Sequence, residues 1–173
     1  MKANPYDGLI KKLNQFPGGA PDTPELREIL KTLFTEEEAT LAGAMNMQPL
    51  REPASSIAER AGMKLNKVVE LLDGMADKGL VYVAPKEGVK CYALLPLVPG
   101  IFELQFMKGG YSDRERKLAH LFNEYYHTAW GKAGWSFKTP LARAIPIQEA
   151  LLAQGQVQPY DNVRNLIINA KQW

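Results

Sequence analysis

The sequence is poor in cysteine. Cys91 is the single one in 173 residues, which excludes an internal disulfide framework and any metal site made only of cysteines from one chain. Long apolar runs are also missing. None approaches the roughly 20 residues that a membrane-crossing helix requires, and the opening MKANPYDGLIKKLNQ has neither the apolar segment nor the small-residue cleavage site of a secretory signal. A cytoplasmic protein with no membrane partner is expected. Charge of one sign is not abundant: 21 Lys and Arg against 19 Asp and Glu leave a net charge of +2, far from the strongly basic balance of a dedicated nucleic-acid binder. Residues 24–100 hold nine basic and eleven acidic side chains, and residues 101–173 nine and six, so the positive excess lies outside 24–100. Reaction signatures are missing as well. Gly18-Gly19 is not followed by the Lys-Ser or Lys-Thr of a phosphate loop, and no serine sits in a nucleophile-elbow context. An enzyme is therefore not expected.

What the chain does have is a 46% hydrophobic composition, sufficient for one sizeable core or for a domain of about 100 residues with an appendage. The density of Pro and Gly from Phe16 to Pro24 marks an irregular connection. Thr23 can cap a helix with Pro24 in its first position, and Leu26, Ile29, Leu30, Leu33 and Phe34 recur at the spacing of one helical face. Thr35-Glu-Glu-Glu38 has the form of a capping box opening a second helix toward Met45. After Pro49 and Pro53, SSIAERAG reads as a short helix closed by Gly62, and Asn66 as the cap of a helix to Lys78 with Val68, Leu71, Leu72 and Met75 buried. Two strand-like runs, 80–84 and 89–95, follow, joined by Pro85-Lys-Glu-Gly88.

Helix, short helix, turn, helix and β-hairpin in that order predict a winged helix-turn-helix over residues 24–96, within an α+β, mainly α chain. Residues 1–23 are expected to be an N-terminal arm. The same elements docked differently would give a generic small α+β domain, but the order favours the wing. In 97–140, Pro96-Leu-Val-Pro-Gly100 is a stiff connector and IFELQFM a strand or a segment laid on a neighbouring surface. Ser112 with Glu115 opens an amphipathic helix to about Ala129 carrying Leu118, Leu121, Phe122 and Tyr125. In 141–173, two short strands (142–147 and QVQPY) precede a helix capped by Asp161. That helical pattern is still running at Trp173, as expected of a piece of a longer chain.

KKLNQFPGGAP, ILKTLFTEEEATLA, IAERAGM, MADKGLVY, LLPLVPGIFELQFM and IPIQEALLAQGQVQPYDNVRNLIINAK together resemble the N-terminal half of a family of ferredoxin-type proteins, in which a winged-helix region precedes 4Fe-4S cluster motifs. LVPGIFELQFM is the most specific part of the likeness, because a winged helix alone does not require it. The resemblance implies that residues 141–173 lead into an iron-sulfur domain, that 4Fe-4S clusters belong to a longer parent protein, and that this part docks or regulates an electron-transfer domain or another protein partner. The cysteine runs that would follow a segment like VRNLIINAK are not in this sequence. Cys91 cannot stand in for the four thiolates that ordinarily hold a cubane cluster, so the chain itself is expected to hold no cofactor.

The rival reading is a dimeric transcriptional regulator resembling MarR-type winged-helix proteins and bound to double-stranded DNA. There the start of the Asn66 helix would enter the major groove, with Lys64, Asn66 and Lys67 near bases or phosphates and Lys86 and Lys90 on the wing. Glu70, Asp73 and Asp77 on the same helix oppose it, since carboxylates repel the phosphate backbone. His120, Glu124 and His127 fall on one stripe of the later helix and form a candidate divalent-metal set. They lack the HExxH arrangement, however, and serve equally as a wet helix face. Cys91 alternates with Val89 and Ala93 and reads as a small half-buried side chain rather than a redox sensor. Tyr125, Tyr126, Trp130, Trp135 and Phe137 read as core before they read as a stacking or partner-binding platform.

Overall fold

A computed structural model describes residues 4–135, with side chains through residue 133. The strands and helix expected over 141–173, and Phe137, lie outside the described residues, as does the side chain of Trp135. The fold is α+β and mainly helical, with one small three-stranded antiparallel sheet.

The segment expected to be an arm begins with a helix, α1 (Pro5–Leu13). Asn4 caps it by accepting from Tyr6 N at 3.1 Å, with Pro5 in the first turn. Its buried face, Tyr6, Leu9, Ile10 and Leu13, lies chiefly against α3 (Glu36–Ala44). The two backbones nearly touch where they cross. A Cβ at Gly43 would lie 3.0 Å from the carbonyl carbon of Gly8, so the crossing depends on having no side chain there. Between these helices in sequence comes α2 (Pro24–Leu33), capped by Thr23 and burying Leu26, Ile29, Leu30 and Leu33. The capping box at Thr35 and Glu38 is formed in both directions, at 3.2 and 2.9 Å. Glu38 also receives Lys78 at 2.8 Å, which ties the start of α3 to the residue that follows a later helix, Leu65–Asp77.

A two-residue strand, β1 (Glu52–Pro53), leads directly into α4 (Ala54–Ala61). Gly62 follows, and α5 (Leu65–Asp77) begins after Lys64. Lys64, not Asn66, occupies the capping position, and no side chain caps this helix. Asn66 falls inside the first turn because the helical backbone starts two residues earlier than a cap at Asn66 would dictate. Val68, Leu71, Leu72 and Met75 face the core; each such side chain contributes about 1.5–3 kcal/mol on burial.

β2 (Val81–Lys86) and β3 (Val89–Leu94) form the hairpin. Its first strand runs on through Pro85 and Lys86, which the sequence had placed in the connection. Lys86 pairs with Val89, leaving a two-residue turn in which Glu87 (φ 54) and Gly88 (φ 79) are both left-handed, the geometry that matches strand twist. Pro85 is tolerated because the strand order β1-β3-β2 puts β2 at an edge.

Beyond the hairpin the chain makes an irregular turn at Leu97–Ile101 and enters a short helix, α6 (Phe102–Phe106). IFELQFM is therefore helical and not a strand: Phe102 and Phe106, four residues apart, both turn onto the core. The expectation that the segment lies against a surface is met in this form. α7 (Asp113–Tyr125) starts from the Ser112–Glu115 capping box and packs along α2. It continues through a wider turn at Tyr126–Trp130 into α8 (Gly131–Trp135). One hydrophobic cluster runs from Tyr6 to Tyr125, and the Tyr125 hydroxyl closes it by donating to Pro21 O at 3.1 Å.

Candidate functional site

The start of α5 and the hairpin present the five residues singled out for nucleic-acid contact. Lys64 and Asn66 are exposed at the N-terminal end of α5, beside Leu65, which is itself 47% exposed. Lys67, one turn in, does not reach out freely: its Nζ lies 3.1 Å from Glu37 Oε2, and the hydrogen bond to that carboxylate raises its pKa. Lys90 on β3 is held more firmly. Its Nζ lies 2.7 Å from Asp73 Oδ1 on α5 and 5.4 Å from the centre of the Tyr92 ring, and the Tyr92 hydroxyl donates to the same Asp73 oxygen at 2.8 Å. Hydrogen bonds from Lys90 and Tyr92 keep the Asp73 carboxyl below its ordinary value, whereas burial pushes the Tyr92 phenol up.

Lys86 stands apart from these pairs, in a shallow recess of 360 Å³ with Asn46, Pro49, Leu50 and Arg51. Lys64, Lys86 and Arg51 have no ionic partner among the described residues. The candidate face thus keeps three unpaired cations, beside the carboxylates of Glu70, Asp73 and Asp77. Proteins whose DNA affinity is strongly electrostatic neutralise roughly 6–10 phosphates. Arg51 was not anticipated from the sequence; its nearness to Lys86 comes from the loop before β1 folding against the hairpin, which no local pattern signals.

The other candidates separate. His120 Nε2 and Glu124 Oε1 lie 3.3 Å apart on α7, but the His127 ring lies nearly perpendicular to that of Tyr126, with centroids 5.4 Å apart. The wide turn at Tyr126–Trp130 departs from the 3.6-residue register that would have kept all three on one stripe. Among the described residues no group of three or more His, Cys, Asp or Glu is gathered as a metal site. Cys91 is fully buried rather than half-buried, between Ala84 and Pro53 in the sheet.

Two concave regions were not foreseen. The larger, 910 Å³, opens between the α2–α3 junction, the end of α5 and the α6–α7 loop, and is lined by both signs of charge. Three of its cations are engaged, Lys31 with Glu28 at 2.8 Å, Lys78 with Glu38, and Arg114 with the buried Gln105 at 3.0 Å, and Lys108 also lines it. The smaller, 410 Å³, is a groove walled by α6, α7 and the wide turn. Phe102, Phe106 and Phe122 meet there edge to face, with centroids 4.9–6.2 Å apart, and Tyr126 and Trp130 extend the apolar wall. The four-residue spacing of Phe102 and Phe106 was the signal in the sequence that could have found this groove.

No family model, curated protein or solved structure matches the chain. No helix among the described residues is long and apolar enough to cross a membrane.

Proposed function

We propose that this chain is a non-catalytic, cytoplasmic winged-helix module that docks or regulates the iron-sulfur part of a ferredoxin-type 4Fe-4S protein. Support for a winged helix comes from the sheet order β1-β3-β2, with α4 and α5 between the first strand and the hairpin. On this reading α5 is the recognition helix and β2–β3 the wing. The observation that carries docking over DNA binding is the internal pairing of the would-be DNA face: Lys67 is spent on Glu37 and Lys90 on Asp73. A surface whose cations already have carboxylates releases few counterions on meeting DNA. The iron-sulfur assignment rests on the resemblance carried by LVPGIFELQFM and its neighbouring segments.

A dimeric MarR-like regulator is the second reading, favoured by one observation: Lys64, Asn66 and Lys86 are exposed at the helix tip and wing, with no ionic partner among the described residues for either lysine. The two readings divide on a simple experiment, reading the gene beyond the codon for Trp173. Closely spaced cysteines in cluster-binding arrangement support the iron-sulfur parent; a stop codon there contradicts it.

A further inference from the structure

We propose that the 910 Å³ cavity beside Arg114 binds a small apolar monocarboxylate, its carboxylate on the Arg114 guanidinium and its apolar body against Leu33, Phe34 and Leu104. None of the five residues singled out for nucleic-acid contact lines this cavity, so the inference does not rest on the docking reading.

The anchor is held from below by a buried amide. Gln105 is 7% exposed, and both ends of its side chain are used: Nε2 donates to Lys78 O at 2.9 Å, and Oε1 accepts from Arg114 Nη2 at 3.0 Å. The first bond fixes which way the amide points, and the second holds the guanidinium at the cavity wall. Gln105 is neutral, so it positions Arg114 without compensating its charge. Arg114 has no ionic partner among the described residues, and a guanidinium presents its N–H donors as a planar fork, of which Gln105 takes one. Its place in the chain adds to the imbalance. Arg114 is in the first turn of α7, where the helix dipole favours an anion and disfavours a cation. A carboxylate bound there answers both.

The rest of the lining decides what kind of anion fits. Lys108 lines the cavity without an ionic partner among the described residues, and so do the carboxylates of Glu36 and Asp77. Glu115, the third carboxylate of the lining, is committed to Ser112 N at 2.7 Å. Two unpaired cations set against two unpaired carboxylates disfavour a polyanion and leave one negative charge for the Arg114 fork to hold. A carboxylate matches that fork with two parallel hydrogen bonds. Leu33, Phe34 and Leu104 supply apolar surface for the remainder of the molecule, and the volume falls in the range of small-molecule sites, about 300–1,000 Å³.

The test uses the full chain labelled with ¹⁵N, titrated with 4-phenylbutyrate and followed by the backbone amides of α6 and of the first turn of α7. Saturable shifts at those amides are expected. The neutral analogue 4-phenylbutyramide should bind about tenfold more weakly, and inorganic phosphate, which has charge but no apolar body, should bind more weakly than 4-phenylbutyrate. Arg114→Gln should lower affinity for the carboxylate about tenfold and leave that for the amide unchanged. Lys108→Gln removes the same charge from the same lining and should cost less than about threefold. Both positions are exposed, so neither change should alter the thermal melt. The proposal is overturned if 4-phenylbutyrate gives no saturable shift up to about 1 mM, if it binds no better than the amide or phosphate, or if Arg114→Gln weakens it no more than Lys108→Gln does.

Discussion

On the face formed by α5 and the β2–β3 hairpin, cations lie against carboxylates of the same chain, Lys67 at Glu37 and Lys90 at Asp73. On the face formed by α6 and α7, aromatic rings line a groove with no charged side chain in its wall among the described residues. The first face pairs two of its cations internally and leaves Lys64, Lys86 and Arg51 without an ionic partner among the described residues, whereas the second is walled by apolar surface. Motif position alone would assign recognition to the helix tip and wing. The internal pairing of Lys67 and Lys90 directs attention instead to α6 and α7.

The sharpest way to break this contrast is to ask whether the two faces share one core. Leu72→Ala, at a fully buried position of α5, should cost about 3 kcal/mol. Because a single hydrophobic cluster reaches from Tyr6 to Tyr125, urea unfolding should lower the backbone signal and the tryptophan signal together. Two separate transitions would show that the faces are independent units.

Gly79→Ala attacks the joint between them. Gly79 has φ 70, and a Cβ there would lie 2.9 Å from Leu104 Cβ of α6. A loss of about 2 kcal/mol is expected from backbone strain and the close contact, with chemical-shift changes on both α5 and α6. Glu38→Ala removes the capping box of α3 and the Lys78 pair together and should cost about 1–2 kcal/mol by thermal denaturation. Glu38→Gln, which keeps an acceptor for the cap, should cost less.

Asp73→Asn should have the smallest effect on stability, under about 1 kcal/mol at neutral pH, because the carboxylate is about half exposed. Its signature is in the pH profile. The folded pKa of Asp73 is depressed by Lys90 and Tyr92, so its stabilisation is complete above the ordinary aspartate value, about 3.9, and fades as pH falls through the depressed one. Acid titration of wild type against variant should converge there. The same substitution combined with Glu37→Gln frees Lys90 and Lys67, and should strengthen duplex DNA binding severalfold if internal pairing is what suppresses it.

Much of this was legible where local chemistry decides structure. Thr23-Pro24, Thr35 with Glu38, and Ser112 with Glu115 each mark a helix start by satisfying orphan amides, and the helices begin there. α1 carries the same signals in Asn4, Pro5 and the spacing of Tyr6, Leu9, Ile10 and Leu13, but its nine residues precede a Pro- and Gly-rich stretch that dominates a reading of the segment. β1 could not be read. Glu52 and Pro53 have no alternating pattern and pair with Tyr92 and Cys91 only because α4 brings them there. The capture of Lys67 and Lys90 by carboxylates 30 and 17 positions away was equally invisible, since it depends on how α3, α5 and β3 meet.

The central claim, that the helix tip and wing are not a DNA-reading surface, is tested most directly by fluorescence anisotropy of a labelled 30-base-pair mixed-sequence duplex titrated with the chain at about 50 mM and 200 mM salt. The account predicts binding no tighter than the non-specific range, about 10⁻⁴–10⁻⁶ M, and unchanged by Lys64→Glu and Lys67→Glu. Submicromolar binding that falls steeply with salt and is lost in those two variants would contradict it.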